Sequence, residues 1–322
     1  LVQTVAVGGL TLYLVLVRDL GVVGVLYGKL GGDALTAALG LVLCRHSLRW
    51  RFHRETLRRM LIYGLPLVPV AFAYGIISAA DRFFLQRTHS LEEVGVYAVA
   101  MKFFALASMG VAAFHLAFTP FAYARARRPE APRLFARVFS LYTAVASLGA
   151  LLVAAFAPEI VSVLAPGAYA AAAVPAVWLT FAAVAQGAYY VGGLGIGLSL
   201  RTTLLIWTAG GAALVAGFAN ALLTPALGSP GAALATFMGY AVSAILATIV
   251  AQRVYPLPYR SGRILVMFAL ALAIALALQR LAPAGGVGVG VKLAGAALYA
   301  ALVWGLGLWR HPRADDVPAA VR

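Results

Sequence analysis

Apolar stretches long enough to cross the roughly 30 Å hydrocarbon core of a bilayer recur ten times along the 322 residues of this chain, and that recurrence leaves few folds open. They lie near residues 1–17, 20–44, 62–86, 94–124, 134–157, 169–199, 202–224, 229–251, 264–281 and 287–309. Composition agrees: 63% of the residues are hydrophobic and 11% charged, with a mean hydropathy of +0.93. A soluble domain is about half apolar and a quarter charged. Apolar surface in that excess must face lipid. The expected fold is an all-α integral membrane protein of about ten transmembrane helices.

A net charge of +15 would suggest nucleic acid in a soluble protein. Here the basic residues fall in short connectors between apolar blocks, which is a topology signal instead. Arg45, Arg49, Arg51, Arg54, Arg58 and Arg59 follow the second stretch, and Arg125, Arg127, Arg128, Arg133 and Arg137 follow the fourth. Arg201 follows the sixth, Arg253, Arg260 and Arg263 the eighth, and Arg310, Arg313 and Arg322 the last. The other side keeps only Arg18, Arg82, Arg87, Arg280 and Lys292. Arginine-rich short loops stay in the cytoplasm. The basic connectors and the C-terminus are therefore expected inside, in a cytoplasmic (inner) membrane, and nucleic acid is not an expected partner.

Several stretches exceed about 20 residues and must tilt, bend or extend past the lipid. Pro66 and Pro69 lie in the third and Pro120 near the end of the fourth, as kinks whose freed carbonyls neighbouring helices can satisfy. The segment from Arg45 to Met60 places Leu48, Phe52, Leu57 and Met60 among arginines, with Trp50 as an anchor. It reads either as a surface helix or as a solvated basic linker. The chain opens at Leu1 directly inside an apolar run, with no basic region ahead of it. That run is not a signal peptide, and an N-terminal part of the parent protein is expected to precede it.

No enzyme signature emerges, and no cofactor is expected. Cys44 is the one cysteine, and His46, His53, His89, His115 and His311 lack metal-binding spacing. The run from Gly285 to Lys292 loosely resembles a phosphate loop, but the lysine is displaced and no Ser or Thr follows it. The glycines between Gly192 and Gly197 read as close helix packing. Glu92, Glu93 and Glu159 fall in outer loops, where solvation accounts for them, and Tyr169 and Trp178 read as interfacial belt residues.

The informative residues are ionisable groups within apolar stretches, because these are costly in lipid and usually face an internal cavity. Lys29 and Asp33 lie one turn apart on one face, Asp81-Arg82 closes the third stretch, and Lys102 lies in the fourth. At about 1.5 Å per residue, all of them fall in the outer half of the membrane. They form either neutralising pairs, Lys29 with Asp33 and Asp81 with Lys102, or a polar cavity of net positive charge suited to a phosphate-bearing headgroup. Deeper lie His115, Gln186, Tyr189 and Tyr190, as interhelical hydrogen-bond partners or as a lining for substrate.

From the third stretch onward the chain resembles a known family. Tyr63-Gly64-Leu65-Pro66-Leu67-Val68-Pro69 and Ser78-Ala79-Ala80-Asp81-Arg82-Phe83-Phe84-Leu85 are followed by Val94-Gly95-Val96-Tyr97-Ala98-Val99-Ala100-Met101-Lys102. Phe118-Thr119-Pro120-Phe121, Ala157-Pro158-Glu159-Ile160, Asn220 to Pro225 and Gly228 to Ala233 continue the series in order. Together they are similar to the C-terminal lobe of the oligosaccharide flippases, in the superfamily that includes the multidrug and toxin extruders. The resemblance implies two six-helix lobes around a central cavity, two extra C-terminal helices, and alternating access. On it, residues 1–44 are the last two helices of a mostly missing first lobe and 45–61 a basic cytoplasmic linker. Residues 62–255 are a MATE-like second lobe, and 256–322 the extra pair with a cytoplasmic tail. Without the other wall of the cavity, the chain as it stands is not expected to transport.

The resemblance further implies a flippase for polyprenyl-diphosphate-linked oligosaccharide, working beside glycosyltransferases or a polymerase of the same pathway. Asp81, Arg82 and Lys102 occupy the family's polar positions at the start of the second lobe; Lys29 and Asp33 carry no motif. Lys29, Lys102 and Arg82 would meet the diphosphate, with Gln186 and Tyr189 as further substrate contacts, while Asp81 or Asp33 takes up a coupling proton or cation. The alternatives are a cation-coupled drug antiporter of the same fold, a membrane enzyme of polysaccharide assembly, and a non-transporting scaffold. A cavity for cationic drugs should be acidic, which the in-span lysines disfavour, and the short outer loops disfavour the enzyme.

Overall fold

A computed structural model of the chain describes residues 2–46, 52–165, 167, 169–281 and 286–308. Among these residues the regular structure is helical throughout, with no strand. Nine helical segments are long and apolar enough to span a membrane, from Gly21–Cys44 to Val287–Gly305, and a tenth apolar helix, Val2–Val17, is shorter. The protein is an all-α, multi-pass membrane protein. It divides into two compact units, Leu1–Arg59 and Met60–Arg322.

The first unit is built on a helical hairpin. Helix α1 (Val2–Leu12) runs on as a π-helical turn (Tyr13–Val17) before α2 (Gly21–Cys44) folds back along it. Asp19 and Gly21 adopt positive φ (53° and 51°) at the reversal. The buried residues of α2 are Gly24, Gly28 and Gly32, one per turn, so the contact is made through bare backbone. A Cβ on Gly28 would collide with Thr11 of α1. This is the small-residue spacing by which helices associate in lipid, where no hydrophobic force drives them together and close van der Waals contact must do so.

Of the segment Arg45–Met60, read as a surface helix or a basic linker, the described part enters a helix at Arg54. Leu48, Arg49, Trp50 and Arg51 lie outside the described residues, and the next helix, α3, spans Arg54–Gly64. It breaks at Leu65-Pro66, and α4 (Leu67–Thr88) follows with Pro66 as its N-cap. Pro69 falls in the first turn of α4, where a helical N–H has no intrahelical acceptor to lose. The break at Pro66 thus falls within one long helical segment, Arg54–Thr88, where a proline kink was expected. Pro120 lies inside α5 (Leu91–Arg125), which continues through it. At 35 residues α5 is about 50 Å long, well beyond the hydrocarbon thickness.

The rest of the second unit comprises α6 (Ala131–Ala155), α7 (Ala157–Leu164), α8 (Ala173–Gly192), α9 (Leu194–Leu198), α10 (Leu204–Leu227), α11 (Ser229–Val254), α12 (Ser261–Leu281) and α13 (Gly286–Gly305). Helix α8 is the axis, buried along most of its length and packed by α5, α6 and α11. Helix α10 lies against α11 and α4, while α12 packs on α6 and α13 on both α6 and α12. The final helices, set apart in the sequence at 256–322, therefore join this unit through α6. The glycines expected to permit close packing do so: a Cβ on Gly192 would strike Thr248, and one on Gly195 would crowd Tyr255.

On α10 small residues face inward and large ones outward, the reverse of a water-soluble core. Helix α10 buries Ala209, Ala212, Ala216 and Ala219 while exposing Trp207, Leu214 and Phe218. Large side chains lose nothing against acyl chains, whereas small ones let helices approach.

Candidate functional site

Two polar rungs tie α4 to α11. Asp81 of α4 is 0% exposed. Its Oδ2 accepts a hydrogen bond from the hydroxyl of Tyr97 on α5 and another from Thr236 Oγ1 on α11 at 3.4 Å. The Arg82 backbone N–H donates to Oδ1 at 2.9 Å. Two helical turns along α4, the Tyr74 hydroxyl meets Ser243 Oγ of α11. Tyr74 precedes Asp81 by the seven residues that separate Ser243 from Thr236, in the opposite sense, so the antiparallel helices carry both rungs on facing stripes. Between them Ile77 packs against Gly239 and Tyr240. Each hydroxyl satisfies a group that would be costly to bury alone.

Below the Asp81 rung the unit presents an aromatic face. The Tyr74 ring lies edge-on to Tyr189 at 5.4 Å and stacked on Tyr240 at 6.0 Å. Tyr240 stacks on Phe104 at 5.6 Å, Tyr190 lies 5.4 Å from Tyr189, and His115 stacks on Tyr190 at 4.0 Å. The half-buried Gln186 brings its side chain within reach of the Tyr240 hydroxyl. Gln186 and Tyr189 are thereby gathered with three residues that sequence reasoning passed over, Tyr74, Tyr240 and Ser243. A signal was present: Thr236, Tyr240 and Ser243 recur at helical spacing on one face of α11, matched by Tyr74 and Asp81 on α4.

Lys102 separates from the carboxylate, whereas Arg82 stays within electrostatic reach of it. The expected Asp81–Lys102 pair is not formed; Tyr97 holds that position. Tyr97 and Lys102 are five residues apart on α5, roughly 140° around the helix, so both cannot face Asp81. Lys102 and Arg82 are exposed and form no ion pair among the described residues. In the first unit the expected pair does form, with Lys29 Nζ 3.7 Å from Asp33 Oδ2 and Gln3 Nε2 of α1 donating to Asp33 Oδ1 at 2.9 Å.

Two of the glutamates expected only to meet solvent do more, contrary to expectation. Glu93 Oε1 accepts from the Ser229 backbone N–H at 2.8 Å, capping the positive N-terminus of α11. Glu159 of α7 accepts from Lys292 Nζ of α13, a lysine only 4% exposed and 5.5 Å from the Phe156 ring. Burial acts to raise the Glu159 carboxyl, but the hydrogen bond and charge of Lys292 outweigh it and hold the group below the usual carboxylate range. Among the described residues no three His, Cys, Asp or Glu side chains gather as a metal site would require.

A family model described as polysaccharide biosynthesis protein matches residues 1–174. The match takes in Lys29, Asp33, Asp81, Arg82, Tyr97 and Lys102, and stops short of Gln186, Tyr189, Thr236 and Tyr240. Comparison with curated proteins returned no match, and comparison with solved structures returned none either.

Proposed function

Because that model covers more than half of the chain, the chain belongs to the polysaccharide biosynthesis protein family, and from this premise we propose that it is a flippase for polyprenyl-diphosphate-linked oligosaccharide. It moves the sugar headgroup from the cytoplasmic to the outer leaflet of the inner membrane by alternating access, with its arginine-rich connectors inside. The observation carrying this reading is the division of charge in the second unit. Lys102 and Arg82 are exposed and free to meet a diphosphate, while Asp81 is withdrawn behind Tyr97 and Thr236.

In this reading Lys102 and Arg82 receive the phosphates; Lys29, carried by the first unit, is a further candidate phosphate contact. Gln186, Tyr189 and the neighbouring aromatic rings receive the sugar headgroup. Asp81, or Asp33, takes up the coupling proton or cation; for Asp81 the hydroxyls of Tyr97 and Thr236 are ready donors to the carboxylate and acceptors in its absence. Glycosyltransferases or a polymerase of the same pathway supply and consume the substrate. Substrate and ion sites at such positions are usual in transporters built from repeats.

The test replaces Lys102 with Ala or Glu in the full-length protein reconstituted in liposomes, and measures translocation of the oligosaccharide headgroup with and without a proton or sodium gradient. Loss of translocation at normal protein level is expected, and normal translocation discards Lys102 as a headgroup contact. The cluster of tyrosines gives a cation-coupled drug antiporter one supporting observation, since aromatic faces attract organic cations. Gradient-driven drug efflux without glycolipid translocation would establish that alternative.

A further inference from the structure

Helices α5 and α6 both pack on α8 but hardly on each other, leaving a cavity of about 510 Å³ between them, floored by Val111, Tyr142, Thr180 and Val184. Along α6 it runs from Val138 to Val153, about 22 Å. Its hydroxyls are already used, Tyr142 donating to the Val184 carbonyl at 2.9 Å and Thr180 to that of Ala176 at 2.7 Å. The lining therefore offers hydrocarbon and no unmet polar group. Gly110 on one wall and Gly149 on the other do not serve packing within the protein, for a Cβ on either meets nothing within 4 Å. They keep both walls of the groove low. An open groove of this length with a hydrocarbon lining suits a single hydrocarbon chain. The ridge Leu106–Gly110–Phe114 continues at the same spacing to Lys102, one turn beyond Leu106. Phe114 and Tyr142, 5.0 Å apart, lie at the opposite end.

We propose that this groove seats the polyprenyl tail of the lipid carrier, with Lys102 at its mouth meeting the phosphate. The proposal rests on the transport reading for the identity of the lipid. It places the tail on the flank of α5 and α6, so that the headgroup can cross while the tail stays anchored in the bilayer.

The full-length protein in nanodiscs is photolabelled with diazirine-bearing polyprenyl phosphate and, separately, with diazirine-bearing phosphatidylglycerol, and the adducts are mapped by mass spectrometry. The polyprenyl probe is expected to label peptides containing Leu106, Leu141 and Val145, in competition with unlabelled polyprenyl phosphate. Gly110→Leu with Gly149→Leu should lower that labelling about tenfold at unchanged thermal stability. Gly110→Ala, a smaller filling, should lower it less. Equal labelling by phosphatidylglycerol assigns the groove to bulk lipid and overturns the proposal, as does labelling that persists in the leucine variant. A leucine variant that instead loses a dimer assigns the groove to a second copy and overturns the proposal too. Headgroup translocation by the same protein variants in liposomes separates the two readings: translocation with an unlabelled groove overturns the groove alone, and a labelled groove without translocation overturns the transport reading.

Discussion

Asp33 and Asp81 are both aspartates in apolar helices, one in each unit, and they are treated in opposite ways. Asp33 sits on a hairpin whose contact is made by glycine backbone, so its side chain stays 40% exposed beside a Lys29 side chain that is 70% exposed. Asp81 sits where α4, α5 and α11 converge and is enclosed, its partners a phenol, an alcohol and an amide. An ion pair one turn apart forms within a single helix and needs no third element. A carboxyl enclosed among helices is satisfied by whatever its neighbours present, and here they present hydroxyls. Glu159 stands between the two, partly exposed itself but bonded to a buried ammonium.

The sharpest test of this contrast removes the enclosed carboxyl. Asp81→Ala leaves the Tyr97 and Thr236 hydroxyls without their acceptor, and should lower unfolding free energy in detergent or bicelles by about 2–4 kcal/mol. Asp81→Asn, which keeps an acceptor, should cost less. Wild-type stability in the alanine variant would mean the rung is not formed.

The intermediate case is read through pH. Glu159 has its folded pKa below the unfolded value, so its contribution is fully present above the unfolded pKa and is lost as pH falls through the lowered folded one. A melting profile taken downward from neutral pH should therefore fall less steeply across the carboxylate range in Glu159→Gln than in the parent. Identical acid slopes would refute the link to Lys292. The smallest effect belongs to the hairpin: Lys29→Ala should change stability by about 0.5 kcal/mol or less, the scale of exposed ion pairs. A loss as large as that of Asp81→Ala would erase the distinction between the two regions.

The number and extent of the long helices were legible with little error; the break between α8 and α9 at Gly193 was not, because residues 169–199 read as one apolar stretch. The prolines were legible as features of two long helical segments, Pro66 at the break within Arg54–Thr88 and Pro120 inside α5. Asp81 and Lys102 stand out individually, whereas their separation does not, since sequence places them on consecutive helices without showing that Tyr97 holds the facing position. Gln186 and Tyr189 are legible as isolated polar residues. Their companions Tyr74, Tyr240 and Ser243 carry only the weak signal of a shared helical spacing, because tyrosine and serine are ordinary in apolar helices until two of those helices are laid side by side.

What the amino-acid order determined alone is that this chain spans a bilayer many times, because a backbone in hydrocarbon must satisfy its own hydrogen bonds and helices of about 20 residues do so locally. What only the tertiary structure decided is which face of each helix meets which neighbour. In water that choice is written as an apolar stripe; in lipid both faces are apolar, and it passes to glycines, alanines and a few hydroxyls whose partners lie far away in the chain.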